Sequence, residues 1–171
     1  AESGETRGGF VSLRDSVKTA IDIAQKAYNT EGHVTGVTTG LRDMDAKLGG
    51  FQPSDLIILA GRPSMGKTAL ATNMAFNAAH AYAQSGGKEG AIVGFFSLEM
   101  SSDQLATRIL ADLSGISSDA IRKGNIREDD FRKFAEASQR LAQVPLYIDD
   151  TPALSISAIR TRARRLKRQH N

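Results

Sequence analysis

Residues 56 to 68 read Leu-Ile-Ile-Leu-Ala-Gly-Arg-Pro-Ser-Met-Gly-Lys-Thr, an apolar run of strand length that passes straight into the pattern G-x-x-x-x-G-K-[ST]. An alanine-rich stretch with helical character follows, from about Lys67 to Ala83. That pattern has a physical mechanism when it lies between a strand and a helix. Glycines let the backbone curl so that successive N–H groups converge on phosphate oxygens, and the helix beginning at Lys67 adds the positive end of its dipole. Gly61, Arg62, Pro63, Ser64, Met65, Gly66, Lys67 and Thr68 are therefore the candidate nucleotide-binding residues. Lys67 is placed to reach the β- and γ-phosphates of ATP, and the Thr68 hydroxyl to ligate the Mg²⁺ that the triphosphate charge requires. Average composition yields such a pattern by chance in about half a percent of chains this long. A glycine turn with an incidental lysine is the bland alternative.

Outward from this stretch, short apolar runs alternate with helical segments. The runs are 56–60, 91–97 (AIVGFFS) and 146–149 (LYID). Helices are expected at about Ser102 to Leu113, at Ser118 to Lys123, and in segments reaching Gln143. Apolar strands separated by helices mark a parallel sheet buried on both faces and joined by right-handed crossovers, so the fold class is α/β. Ser101 with Gln104 forms a capping box, and Gly115 and Gly124 stand where helices end. Toward the N-terminus, Leu13, Val17, Ala20, Ile21, Ala24, Ala27 and Tyr28 form the stripe of an amphipathic helix, with Ser12 as its N-cap. Residues 1–11 read as a flexible lead-in. The segment from Thr30 to Asp55 reads as mostly irregular, with a short helical turn from Asp43 to Leu48.

Composition narrows the class. The 171 residues are 40% hydrophobic, enough for one sizeable core in a soluble domain. No cysteine is present, which excludes disulfides, thiolate metal sites and cysteine nucleophiles and fits a reducing cytoplasm. No run is long enough to cross a membrane, and the polar start lacks a signal-peptide core. The net charge of +3 conceals an asymmetry: Arg160, Arg162, Arg164, Arg165, Lys167 and Arg168 follow the last acid, Asp150, and without these six the balance is −3. They surround a stripe of Ile156, Ile159, Ala163 and Leu166, the pattern of a helix with a solvated basic face. A contact with DNA phosphates is the sharper alternative there, though aromatics that would stack bases are missing from this stretch. His33, His80 and His170 have no partner at metal-ligand spacing and read as surface or packed residues.

GRPSMGKT, then FFSLEMS about thirty residues on, then LYIDDTPALSISAIRTRARRLKRQHN together resemble the RecA-like motor domain of bacterial replicative DNA helicases of the DnaB family. The lead-in TGVTTGLRDMDAKLGGFQPSD is similar to that family's entry to its motor, and the helix near residue 13 to its linker helix. The resemblance implies a RecA-like P-loop NTPase with a mainly parallel sheet. It divides the chain into a lead-in and linker helix (1–35) and a motor domain (36–171) incomplete at its C-terminal end. It implies ATP hydrolysis with Mg²⁺ at the interfaces of a homohexamer, translocation on single-stranded DNA with duplex unwinding, and primase and a helicase loader as partners. Lys67 and Glu99 are its catalytic residues, Glu99 of SLEM matching the family's glutamate. Independently, Glu99 follows an apolar strand, where ligands of parallel α/β sheets bind and where a carboxylate can orient water. A solvated acid just before a helix N-terminus is the bland reading.

The resemblance also implies what lies outside this stretch: the family's N-terminal collar, its Walker B strand, its DNA-binding loops and its arginine finger. Asp149 and Asp150 end an apolar strand and suit a Mg²⁺ ligand, but family order makes them an ordinary strand end leading into the next helix. Two other functions stay open: a RecA-like recombinase or signalling ATPase, and a nucleotide-binding or subunit-contact module without turnover.

Overall fold

Val93–Phe96 (β1) pairs in parallel with Leu146–Asp149 (β2), in the register Val93 to Leu146 and Phe96 to Asp149. The computed structural model describes residues 10–29 and 34–170. Before β1 come helices α1 (Leu13–Tyr28), α2 (Arg42–Leu48) and α3 (Lys67–Gln84). Between the strands lie α4 (Ser102–Ser114), α5 (Ser118–Lys123) and α6 (Glu128–Leu141), and α7 (Ile156–His170) follows β2. A parallel pair needs such a crossover, because a tight turn would reverse the chain. Residues 1–9, His33 and Asn171, and with them most of the expected lead-in, lie outside the described residues.

Local chemistry accounts for the helix ends. Ser12 accepts from the Asp15 N–H and caps α1. Ser101 and Gln104 close the expected capping box on α4, which stops at Gly115 in the left-handed conformation. Gly124 ends α5 in the same way. The core is built around the crossover: Leu105, Ile109 and Ala111 of α4 are buried with Ala137 of α6, Ile116, and Ala78 and Ala79 of α3. Burying one leucine such as Leu105 contributes about 1.5–3 kcal/mol.

Two expectations need correction. The apolar run 56–60 forms no strand. A strand exists by virtue of its ladder, and among the described residues no backbone pairs with this run. Its side chains still alternate, with Ile57 and Leu59 at 49% and 40% exposure against 86% and 79% for Leu56 and Ile58, the period-2 signature of a sheet surface. Nor are the strands buried on both faces: Gly94 and Tyr147, opposite each other in the register, are both exposed positions. α7 covers part of that face, with Leu166 over Gly94 and the His170 ring tilted against Tyr147 at 4.5 Å between ring centroids. Within α7, Ile159 and Leu166 are half-buried as expected, whereas Ile156 and Ala163 of the same stripe are exposed.

The segment before α3 is more ordered than its glycines suggest. Val37 and Phe51 form an antiparallel bridge that closes a loop around α2. Inside it the buried Asp45 carboxylate accepts from the Thr39 N–H at 2.8 Å, the Thr39 hydroxyl at 2.7 Å and the Thr38 hydroxyl at 2.6 Å. Asn77 of α3 then donates to the Thr39 carbonyl at 3.0 Å, tying the loop to the helix. Gly40 makes this possible: it has φ +74°, and a Cβ there would fall 2.3 Å from the Asn77 amide nitrogen.

Burial pushes the Asp45 carboxyl up, but bonds from Thr38 and Thr39 outweigh it and hold the group below its ordinary 3.8. Its stabilising contribution is therefore complete above pH 3.8 and lost as pH falls through the lower folded value. Asp45→Ala, which leaves the Thr39 N–H unpaired, is expected to cost about 1.5–3 kcal/mol in urea unfolding at neutral pH. The gap between variant and parent should narrow well below pH 4, by the same linkage at about that pH.

Candidate functional site

Gly66 occupies the N-cap of α3 with φ +82°, and no side chain caps this helix. The first intrahelical bond runs from the Leu70 N–H to the Gly66 carbonyl at 2.9 Å, so the N–H groups of Lys67, Thr68 and Ala69 have no acceptor within the helix. Ahead of them the chain turns through Ser64, also at positive φ, with the Met65 N–H reaching the Arg62 carbonyl at 3.3 Å. Lys67 folds its ammonium back onto the Gly61 carbonyl at 3.1 Å, spanning the loop. A curled loop, an uncapped helix start and a lysine across its mouth are the features of an anion-binding concavity.

The loop has two sides. Pro63, Ser64, Gly66, Lys67 and Thr68 line a cleft of about 490 Å³ together with Ala69, Glu99, Met100 and Arg108. Gly61, Arg62 and Met65 face an adjoining space of about 500 Å³ beside Leu59, Ala60 and Leu70. The fold thus brings Lys67, Thr68 and Glu99 to one cleft and turns three of the eight loop residues the other way.

Glu99 is exposed, on the short loop between β1 and α4. Its setting is firm. Ser97 is buried, and its hydroxyl donates to the Met100 carbonyl at 2.5 Å while accepting from the Met100 N–H at 3.2 Å. The Ser97 N–H extends the ladder to the Asp149 carbonyl at 2.9 Å, and the Ser102 N–H donates to the Asp150 carboxylate at 2.7 Å.

Sequence reasoning missed Arg108. It stands two turns into α4, three residues beyond the buried Leu105, and a helical register alone does not tell which neighbour that face meets. No spacing in the sequence signals it, since Glu99 lies on the loop before α4 and not on the helix that carries Arg108.

Residues 36–171 match the model of the DnaB-like helicase C-terminal domain. The chain belongs to that family. Over its whole length it is 47% identical to the replicative DNA helicase DnaB of Rickettsia bellii, covering 35% of that protein. The corresponding helicase of Geobacillus stearothermophilus is 40% identical across 95% of the chain, again over 34% of its own length. The chain therefore spans about a third of the curated relatives it matches. The solved ATPase domain of G40P superposes with a TM-score of 0.82 at 24% identity, covering 95% of this chain and 54% of that one. A DnaB-like replicative helicase, described with its interactions with primase, gives 0.76 at 24% identity over 95% of this chain and 37% of its own. These likenesses agree with an α/β domain of parallel strands flanked by helices, the RecA-like ATPase domain of DnaB proteins, and membership implies nucleotide binding.

In this DnaB-type domain the acidic pair at the end of β2 is engaged by protein. One Arg162 nitrogen donates to both Asp149 oxygens, at 2.8 and 2.6 Å, and to the Thr151 hydroxyl at 2.7 Å. A cation ligated by Asp149 would have to displace that guanidinium. Among the described residues no group of three or more histidines or acids gathers to hold a metal. The other histidine in view, His80, stacks on Phe76 at 5.4 Å. No helix of the described residues is long and apolar enough to cross a membrane.

Hydrogen bonds from Arg162 first, then from Thr151, hold the Asp149 carboxyl at about 2, below its ordinary 3.8. The clasp is thus fully formed above pH 3.8 and opens as pH falls through about 2. Carbon NMR of the Asp149 carboxyl should give a midpoint near 2 in the parent, and Arg162→Ala should move it up toward 3.8. An unmoved midpoint would mean that the clasp does not exist in solution.

Proposed function

We propose that this chain is the ATP-binding part of the motor of a replicative DNA helicase, which couples ATP hydrolysis to movement along single-stranded DNA and to duplex unwinding. One observation carries the reading: Lys67 and Thr68, at an uncapped helix start, share a cleft with Glu99 at the carboxyl end of β1. In this role the N–H groups of Lys67, Thr68 and Ala69 bind phosphate oxygens, and the Lys67 ammonium exchanges the Gly61 carbonyl for the β- and γ-phosphates. Arg108 adds a second positive charge to the same cleft. Glu99 orients the attacking water and takes up its proton. Thr68, on the first turn of α3, is the hydroxyl that would hold Mg²⁺, whose charge offsets that of the triphosphate.

Partners follow the same reading: single-stranded DNA, primase and a helicase loader, in a cytoplasmic homohexamer. The α1 stripe supports a contact between subunits, since Leu13, Val17, Ile21 and Tyr28 are between 48% and 88% exposed on a well-capped helix. A nucleotide-binding module without turnover is the second reading, favoured by the apolar run 56–60, which pairs with no strand among the described residues, and by Asp149 being held by Arg162.

In the full-length protein, Lys67→Ala is expected to abolish measurable MgATP binding by calorimetry. Glu99→Gln should leave affinity near that of the parent while lowering turnover on the order of 10²–10⁴-fold. Unchanged affinity in Lys67→Ala would remove the nucleotide assignment, and equal losses of binding and turnover in Glu99→Gln would remove the base. Nucleotide-dependent strand separation distinguishes a helicase from a recombinase.

A further inference from the structure

We propose that Asp150 is a positioning residue for Glu99, acting through the N-terminus of α4; the inference rests on the reading of Glu99 as the group that orients water. Two consecutive residues of the β2 end grip the Glu99 loop from both sides. The Asp149 carbonyl takes the N–H of Ser97, the residue that opens the loop, at 2.9 Å. The Asp150 carboxylate takes the N–H of Ser102, the first residue of the helix that closes it, at 2.7 Å. Between these anchors, the Ser97 hydroxyl and the Ser101–Gln104 capping box leave the four intervening residues little freedom.

The contact has a particular character. Asp150 lies 48 residues from Ser102, so this is a tertiary bond and not a local turn. A carboxylate at the first turn of a helix is favoured by the unpaired N–H groups and by the dipole. The bond to Ser102 keeps the Asp150 carboxyl below its ordinary range, against the neighbouring Asp149 charge. Neither Asp150 nor Ser102 lines the cleft of Lys67 and Glu99, so loss of their bond acts on catalysis through loop geometry alone. Misplacing a reacting group by about 1 Å can cost on the order of a hundredfold in rate.

The bond can be cut from either end. Asp150→Ala removes the acceptor. Ser102→Pro removes the donor at the first helical position, where proline is tolerated, and Ser101 before it already has the extended conformation that proline requires, with ψ 160°. Steady-state ATP hydrolysis by the full-length protein is the readout, with thermal unfolding confirming that each variant is folded. Both variants are expected to lower kcat on the order of ten- to a hundredfold with KM for MgATP little changed. Asp150→Asn, whose amide oxygen still accepts, should restore most of the rate. In a Glu99→Gln background, Asp150→Ala should cost nothing further.

A normal kcat in both cut variants would overturn the proposal, as would an undiminished additional loss in the Glu99→Gln background. If Asp150→Ala does not fold, Ser102→Pro alone decides by the same criteria. A Glu99→Gln variant with the parent's kcat beside impaired cut variants would sink the Glu99 reading itself, whereas an impaired Glu99→Gln beside normal cut variants would sink only the role of Asp150.

Discussion

Parallel pairing of Val93–Phe96 with Leu146–Asp149 obliges the chain between them to leave the sheet, pack and return in the same direction. That excursion is α4, α5 and α6, and its packing supplies most of the buried apolar residues, Leu105, Ile109, Ala111, Ile116 and Ala137. Because the strands are in register, the end of one meets the end of the other: Ser97 stands against Asp149, and the start of α4 within reach of Asp150. Where Glu99 sits is thus a consequence of strand register.

The start of α3 obeys a different constraint. Helices α1, α4 and α5 begin with a serine that accepts an N–H of the first turn, whereas α3, like α2 and α6, has no such acceptor and, unlike them, begins at a glycine in the left-handed conformation. Capping is worth about 1 kcal/mol to a helix, so an uncapped start is a sacrifice of stability that a bound phosphate can offset. The loop's glycine at φ +82° cannot be traded for a capping residue without strain.

What was legible in the sequence follows the range of the interactions. Caps are local, and Ser12, Ser101 with Gln104, Gly115 and Gly124 end helices as their spacing indicated. The turn ahead of Gly66 and the helix start at Lys67 are local too. Apolarity of residues 56–60 reported which residues suit a sheet but not whether a neighbouring strand would pair with them. The place of Arg108 in the cleft, the Asp150–Ser102 bond and the Asp45 latch were invisible for the same reason, since each is a contact that only the assembled fold creates. His170 and the Asp149–Arg162 clasp make the complementary point: residues whose types invite metal or DNA chemistry are here occupied in packing α7 onto the strands.

The most direct test of the account is hydrogen–deuterium exchange in the full-length protein, with and without MgATP, followed in peptides spanning residues 61–70. The backbone N–H groups of Lys67, Thr68 and Ala69 lack acceptors within α3, so nucleotide should slow exchange there markedly while leaving the capped start of α5 unchanged. Unaltered exchange at 61–70 under saturating nucleotide, with protection elsewhere, would contradict the claim that this helix start is the phosphate site.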